Sequence, residues 1–187
     1  MKEIQIQNRQ EIIKTGYIPA EMMPKNAGQA LKTLKTLPTQ YYNSLKPRVL
    51  DDAICSIAPG LYKYLESEGE TKTRALMVII ISDLIEFFNV GKRMNDIQVA
   101  QTADLIIDNY FWFNIEDFKL CFNMAKAGKF GKVYDRIDGQ VIMDWLATYE
   151  EMRIQQKVIN GEKEHSSIKA AERNAPDFMT ISTNRHG

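Results

Sequence analysis

The sequence predicts an all-α protein, a compact helical bundle with an extended basic N-terminal arm and a flexible C-terminal tail. Three observations carry that expectation. Apolar residues recur with a period near 3.6 from about residue 50 to 155. Capping residues stand where the patterned stretches begin, at Asn95, Asn114 and Asp138. No stretch alternates convincingly between apolar and polar, as a half-buried strand would. The chain of 187 residues with 44% hydrophobic content suits one domain with a real core. The expected organisation is an arm over 1–49, a helical domain over 50–160 and a tail over 161–187.

Residues 1–14 suit a short amphipathic helix through Ile4, Ile6, Ile12 and Ile13, broken at Gly16 to Pro19. Pro19, Pro24, Gly28, Pro38 and Pro47 then punctuate the first 50 residues, which read as an extended arm with short helical turns. Lys25, Lys32, Lys35, Lys46 and Arg48 make it basic. A solvated tether and an arm that grips nucleic acid or an acidic partner both fit that composition.

Residues 50–66 give one or two short helices broken at Pro59-Gly60, with Asp51 and Asp52 suited to a helix N-terminus. A loop over 66–70 leads to a helix over Arg74–Val90, capped by Thr71 or Thr73. Its apolar residues wrap most of its circumference, which predicts a buried central helix. The next helix, over 96–109, presents Ile97, Ala100, Ala103, Leu105, Ile106 and Tyr110 as its apolar face. Phe111-Trp112-Phe113 forms an aromatic hinge into a helix that Asn114 starts, with Asp117 completing a capping-box variant. Gly128 is placed to end that helix in a left-handed turn. Asp138 caps the last helix, whose core face is Val141, Ile142, Trp145, Leu146 and Tyr149, and Gly161 is expected to stop it. The three helices between 96 and 153 should form an antiparallel bundle.

Several chemistries lack their residues. His165 and His186 both lie in the tail, so no histidine is placed to activate a nucleophile in a packed cleft. Cys55 and Cys121 stand 66 positions apart, too few and too distant for a zinc site, and read as buried reduced thiols. Gly91-Lys92 and Gly131-Lys132 resemble the end of a phosphate loop. However, Glu86 and Lys126 occupy the first glycine position, and no Ser or Thr follows either lysine. The Asp117-Phe118-Lys119 spacing used by some metal nucleases opens a helix here, where dipole complementation accounts for the acids. No catalytic residue, metal or cofactor is expected. MKEIQIQNRQ has no signal-peptide core, and the longest apolar run, Ala75 to Ile81, is too short to span a bilayer. A cytoplasmic protein is therefore expected.

Charge is balanced overall but unevenly placed. Residues 1–50 hold 8 Lys/Arg against 3 Asp/Glu, and residues 51–149 hold 10 against 15. Within the acidic middle lies a basic, glycine-bent segment. Lys119, Lys126, Lys129, Lys132 and Arg136 place five cations in eighteen residues, with Phe130 and Tyr134 among them. Lys126, Lys129, Phe130, Lys132, Tyr134 and Arg136 are the candidate contacts to nucleic acid or a partner protein. Cations would neutralise phosphates and aromatics would stack on bases. Alternatively, Phe130 and Tyr134 pack down and pin the loop. Trp112 and Trp145 suit core anchors.

Certain strings also resemble a known family. Residues 83–96 read DLIEFFNVGKRMND, 102–110 TADLIIDNY, 117–126 DFKLCFNMAK and 130–142 FGKVYDRIDGQVI. Together, over about Asp83 to Arg153, they resemble a family of uncharacterised small helical proteins common in gut-bacterial mobile elements and their phages. Phe130 stands where that pattern has Tyr. The resemblance implies no activity and carries no catalytic residue. More distantly, the last unit is similar to the small helical domains of phage replisome organisers and helicase loaders. That likeness implies a non-enzymatic replication accessory, with a replicative helicase or another replication protein as partner. A protein–protein adaptor or inhibitor without nucleic-acid contact, supported by the acidic middle, is the other expectation.

Overall fold

A computed structural model describes residues 10–173. Residues 10–15 are helical, and a single 3-10 turn covers Ala20–Met22. Eight further helices follow: α1 (Ala27–Thr36), α2 (Pro38–Ser44), α3 (Leu50–Ile54), α4 (Leu61–Glu68), α5 (Glu70–Phe87), α6 (Asp96–Asn109), α7 (Ile115–Lys126) and α8 (Gly139–Arg173). Among the described residues only two isolated β-bridges occur, Gly60 with Asn114 and Lys92 with Arg136. The chain is all-α.

The core is built around α5, as its nearly continuous apolar surface requires. Leu76, Met77, Ile80, Ile81, Leu84 and Ile85 are all buried. Helix α6 packs along it through Val99, Thr102, Ala103 and Ile106. Ile97 and Leu105, expected on that face, are exposed. Positions 99, 103, 106 and 110 keep helical register, whereas 97 and 105 fall off it.

Three helices begin by the same local device. Asn95 and Gln98, and Asn114 and Asp117, form reciprocal capping boxes. Asp138 accepts the Val141 N–H at 3.1 Å. The residue before each cap is apolar and buried: Met94, Phe113 and Ile137. Its staple counterpart four residues past the cap is buried too, as Val99, Phe118 and Ile142. The Phe113 and Phe118 rings lie 5.6 Å apart.

Residues 27–44 differ from the expected extended arm: α1 and α2 bury Ala30, Leu34, Tyr41 and Tyr42 in the same core as α5 and α7. The physical reason is positional. Asn26 caps α1, and Pro38 sits in the first turn of α2, where a missing N–H costs nothing. Proline there starts a helix rather than breaking one. The loop expected over 66–70 shrinks to Gly69 alone, whose φ of +80° lets α4 turn directly into α5. Thr71 and Thr73 therefore lie inside α5, and Thr73 is buried. Cys121 is buried as expected, but Cys55 is exposed.

Helix α8 does not stop at Gly161 and runs to Arg173. Glycine lowers helix propensity by about 1 kcal/mol relative to alanine, a cost at Gly161 that a helix of 35 residues can absorb. The remainder of the expected tail, 174–187, and the start of the expected first helix, 1–9, lie outside the described residues. No helix among the described residues is long and apolar enough to cross a membrane.

One glycine is required by packing. A Cβ on Gly139 would stand 2.5 Å from Thr102 Oγ1, and Thr102 is buried with its hydroxyl donated to the Gln98 carbonyl. Gly139→Ala should therefore cost about 1–3 kcal/mol, overpacking outweighing the gain in helix propensity. Adding Thr102→Ala should recover most of that loss in a urea titration. Independent, additive effects of the two substitutions would show that α8 shifts away without strain.

Candidate nucleic-acid interface

The basic segment between α7 and α8 begins as its glycines dictate. Gly128 at φ +75° ends α7, and Gly131 at φ +99° turns the chain again. The loop is then tied to the segment between α5 and α6. The Lys92 N–H donates to the Asp135 carbonyl, and the Ile137 N–H donates to the Lys92 carbonyl, both at 3.2 Å. Phe130 folds down onto Trp145, ring centroids 6.4 Å apart and 25° from parallel, and Phe88 covers Trp145 at 5.7 Å. Trp145 is buried, as the sequence predicts. Trp112 is not: it is 46% exposed, because the 110–113 hinge runs along the surface and turns only Tyr110 and Phe113 inward.

These contacts create an open cleft of about 900 Å³. Phe130, Val141 and Trp145 give it an apolar wall, and Lys92, Lys132, Tyr134 and Arg136 stand round it. Tyr134 is 78% exposed, the most exposed large hydrophobic side chain described. Arg136 reaches Asp138 at 3.2 Å but remains open to solvent. Among the described residues Lys92, Lys129 and Lys132 take part in no ion pair.

The six residues predicted for the interface therefore divide. Lys132, Tyr134 and Arg136 share the cleft, with Phe130 as part of its wall. Lys129 faces a separate hollow beside Arg48, Val49 and Met152. Lys126 is withdrawn from the surface: its ammonium lies 2.8 Å from Asp83 and 5.5 Å above the Phe87 ring, leaving the side chain 20% exposed. The carboxylate and the ring both belong to α5, and Asp83 lies 43 residues before Lys126, so spacing within the loop could not reveal them. Lys119, the first of the five cations, covers the Tyr42 ring at 4.2 Å. Burial pushes its ammonium below the usual lysine range, and Asp83 opposes that shift. Lys92 joins the cleft without being among the residues expected there. Its only signal was a glycine-lysine pair just before a helix cap, which says nothing of the bridge that carries it to Arg136.

Behind the cleft lies a polar core that serves the fold. The fully buried Asp117 carboxylate accepts the Asn114 N–H at 2.9 Å, the Tyr149 hydroxyl at 3.0 Å and the Arg153 guanidinium at 2.7 Å. Arg153 also lies over the Phe113 ring, 5.4 Å from its centroid. Burial first, then the Asp117 charge, pushes the Tyr149 phenol far above the usual tyrosine range. Burial likewise raises the Cys121 thiol, which places it away from nucleophile chemistry. Among the described residues no cluster of His, Cys, Asp and Glu is arranged to hold a metal ion.

No family model matches the chain, and comparison with curated proteins and with solved structures finds no match. Fold and site together describe an all-α protein with a cleft that combines cations with an exposed aromatic ring.

Proposed function

We propose that the protein is a non-enzymatic accessory of phage or mobile-element DNA replication whose cleft holds single-stranded nucleic acid. The observation that carries this reading is Tyr134. A largely exposed ring stands in one cleft with Lys92, Lys132 and Arg136. Stacking on an exposed aromatic favours a base and is indifferent to sequence, while cations around it take the adjoining phosphates. Asp135 in the same rim lowers the local positive charge, so binding should be modest and sharply salt-dependent.

Titration of wild type and variants with labelled oligonucleotides at two salt concentrations tests this. Lys92→Glu with Lys132→Glu should weaken binding to every sequence and lower the salt slope by roughly 0.7 for each lost phosphate contact. Tyr134→Ala should cost about 1–3 kcal/mol of binding with the salt slope unchanged. Lys129→Glu, outside the cleft, should do less than either. Equal affinities for wild type and the double variant, or no binding by wild type at low salt, would reject the reading.

A second reading has its own observation. Tyr62, Phe111 and Trp112 are each about half exposed where the 110–113 hinge pairs with the start of α4. The ion pair of Arg74 with Asp104 and the carboxylates of Glu70 and Asp108 border this patch. Such an aromatic surface with a polar rim suits a protein partner, and the replication-accessory reading accommodates it as the contact to a helicase or another replication protein.

A further inference from the structure

Helix α8 is longer than the body that it packs on. Its body-facing line runs through Tyr149, Arg153, Gln156 and Asn160. The first two are buried, and the amides of Gln156 and Asn160 donate to Asp51 of α3 at 3.3 and 2.7 Å. Every residue from 161 to 169 is exposed. A helical segment of that length, with a glycine in it, gains little from propensity alone in water. Something should cover it.

A second line, with Ile154, Val158 and Ile168 as its apolar members, runs along another side of the same helix. Ile154, Val158, Gly161, His165 and Ile168 follow one another at intervals of four, three, four and three. That is the a/d spacing of a coiled-coil seam, with Ile154, Gly161 and Ile168 at d and Val158 and His165 at a. At about 100° per residue the line lies well round the helix from Tyr149, Gln156 and Asn160 and points away from the body. Ile154, Val158 and Ile168 are each 55–56% exposed.

We propose that this free end of α8 pairs, parallel and in register, with α8 of a second copy of the chain. The flanking charges select that occupant and that direction. Lys157 and Glu164 fall at g, and Glu162 and Lys169 fall at e. In a parallel pair each g residue faces the e residue five positions on in the other helix. Lys157 then meets Glu162 of the second copy, and Glu164 meets Lys169, so all four contacts of the symmetric pair join opposite charges. An antiparallel pair centred on Gly161 would also bring Lys157 to Glu164, but it would set Glu162 against Glu162 and leave Lys169 facing Gln155, so fewer of its contacts join opposite charges. The seam is short, and glycine and histidine weaken it, so the dimer should dissociate on dilution. The pairing is independent of nucleic-acid binding, and it would bring two clefts into one particle.

Sedimentation velocity of the full chain across a dilution series tests the proposal. Wild type should pass from dimer to monomer on dilution. Val158→Glu should be monomeric throughout. Lys157→Glu should weaken the dimer about tenfold by setting glutamate against Glu162 twice, and adding Glu162→Lys should restore it. His165→Leu should tighten it by about tenfold, an apolar pair replacing a polar one at a core position. In a Cys55→Ser background, which removes the exposed native thiol, Ile168→Cys should form a disulfide-linked dimer on mild oxidation. An antiparallel pair would set residue 168 against 154 and leave it uncrosslinked. These positions are exposed, so an unchanged melting temperature confirms that each variant is folded. A wild type that stays monomeric at its highest soluble concentration, a dimer indifferent to Val158→Glu, or no crosslink at residue 168 overturns the proposal.

Discussion

Asp117→Ala should lower the free energy of unfolding by about 3–5 kcal/mol. Asp117 is fully buried, and its two oxygens take three donors from two places in the chain: Asn114 at the start of α7, and Tyr149 and Arg153 one turn apart on α8. Its removal leaves the Arg153 guanidinium in a nearly closed site, its cation then compensated only by the Phe113 ring. It also leaves the Tyr149 hydroxyl without its acceptor and undoes the capping box of α7. The unpaired cation is the largest of these losses, because desolvation of a charge outweighs one neutral hydrogen bond. Asp117→Ala with Arg153→Met should therefore be more stable than Asp117→Ala alone, although it carries one substitution more. Urea titration of the three variants decides the matter. A loss near 1 kcal/mol or less for Asp117→Ala would mean that Arg153 swings into water unaided and that the pair behaves like a surface bridge.

What could be read from the sequence followed from how local each determinant is. Asn95, Asn114 and Asp138 announce their helices within four residues, and all three cap as expected. Gly128 ends α7 through a backbone angle that depends on nothing distant. Residues 27–44 are the exception, because proline suggests a break whereas Pro38 opens a helix. The spacing of Ala30, Leu34, Tyr41 and Tyr42, all buried, was the better guide. In the interface, Lys132, Tyr134 and Arg136 were legible as a basic aromatic loop. Which cations stay in solvent was not. Asp83 withdraws Lys126, and the Lys92 bridge adds a fourth group, both through contacts over forty residues apart. Charge counts along a chain cannot distinguish a cation facing solvent from one folded back onto a carboxylate.

Trp145→Ala should cost about 3–5 kcal/mol and lower the melting temperature by roughly 10 °C. The indole is buried between Phe88 and Phe130, and on its helix it continues the face of Ile142 and Tyr149. Its replacement leaves a cavity with little means of collapse, since α5 and α7 fix the surrounding walls through their own buried faces. The consequence reaches the cleft. Phe130 is the one aromatic residue of the loop that is packed down, and it packs on Trp145. Without that ring the 131–137 segment is held by Val133 against the core and by the hydrogen bonds of Asp135 and Ile137 to Lys92. Amide exchange at Gly131 to Tyr134 should then quicken more than exchange in α5, and nucleic-acid affinity should fall even where the body remains folded. Trp145→Phe retains a ring for Phe130 to cover and should show a smaller loss in all three measurements. A Trp145→Ala protein that melts like wild type would mean that the indole contributes little to the core, and would recast it as a platform for a ligand in the cleft. A large stability loss with unchanged loop exchange would separate the core from the cleft and leave Lys92 as what holds the loop in place.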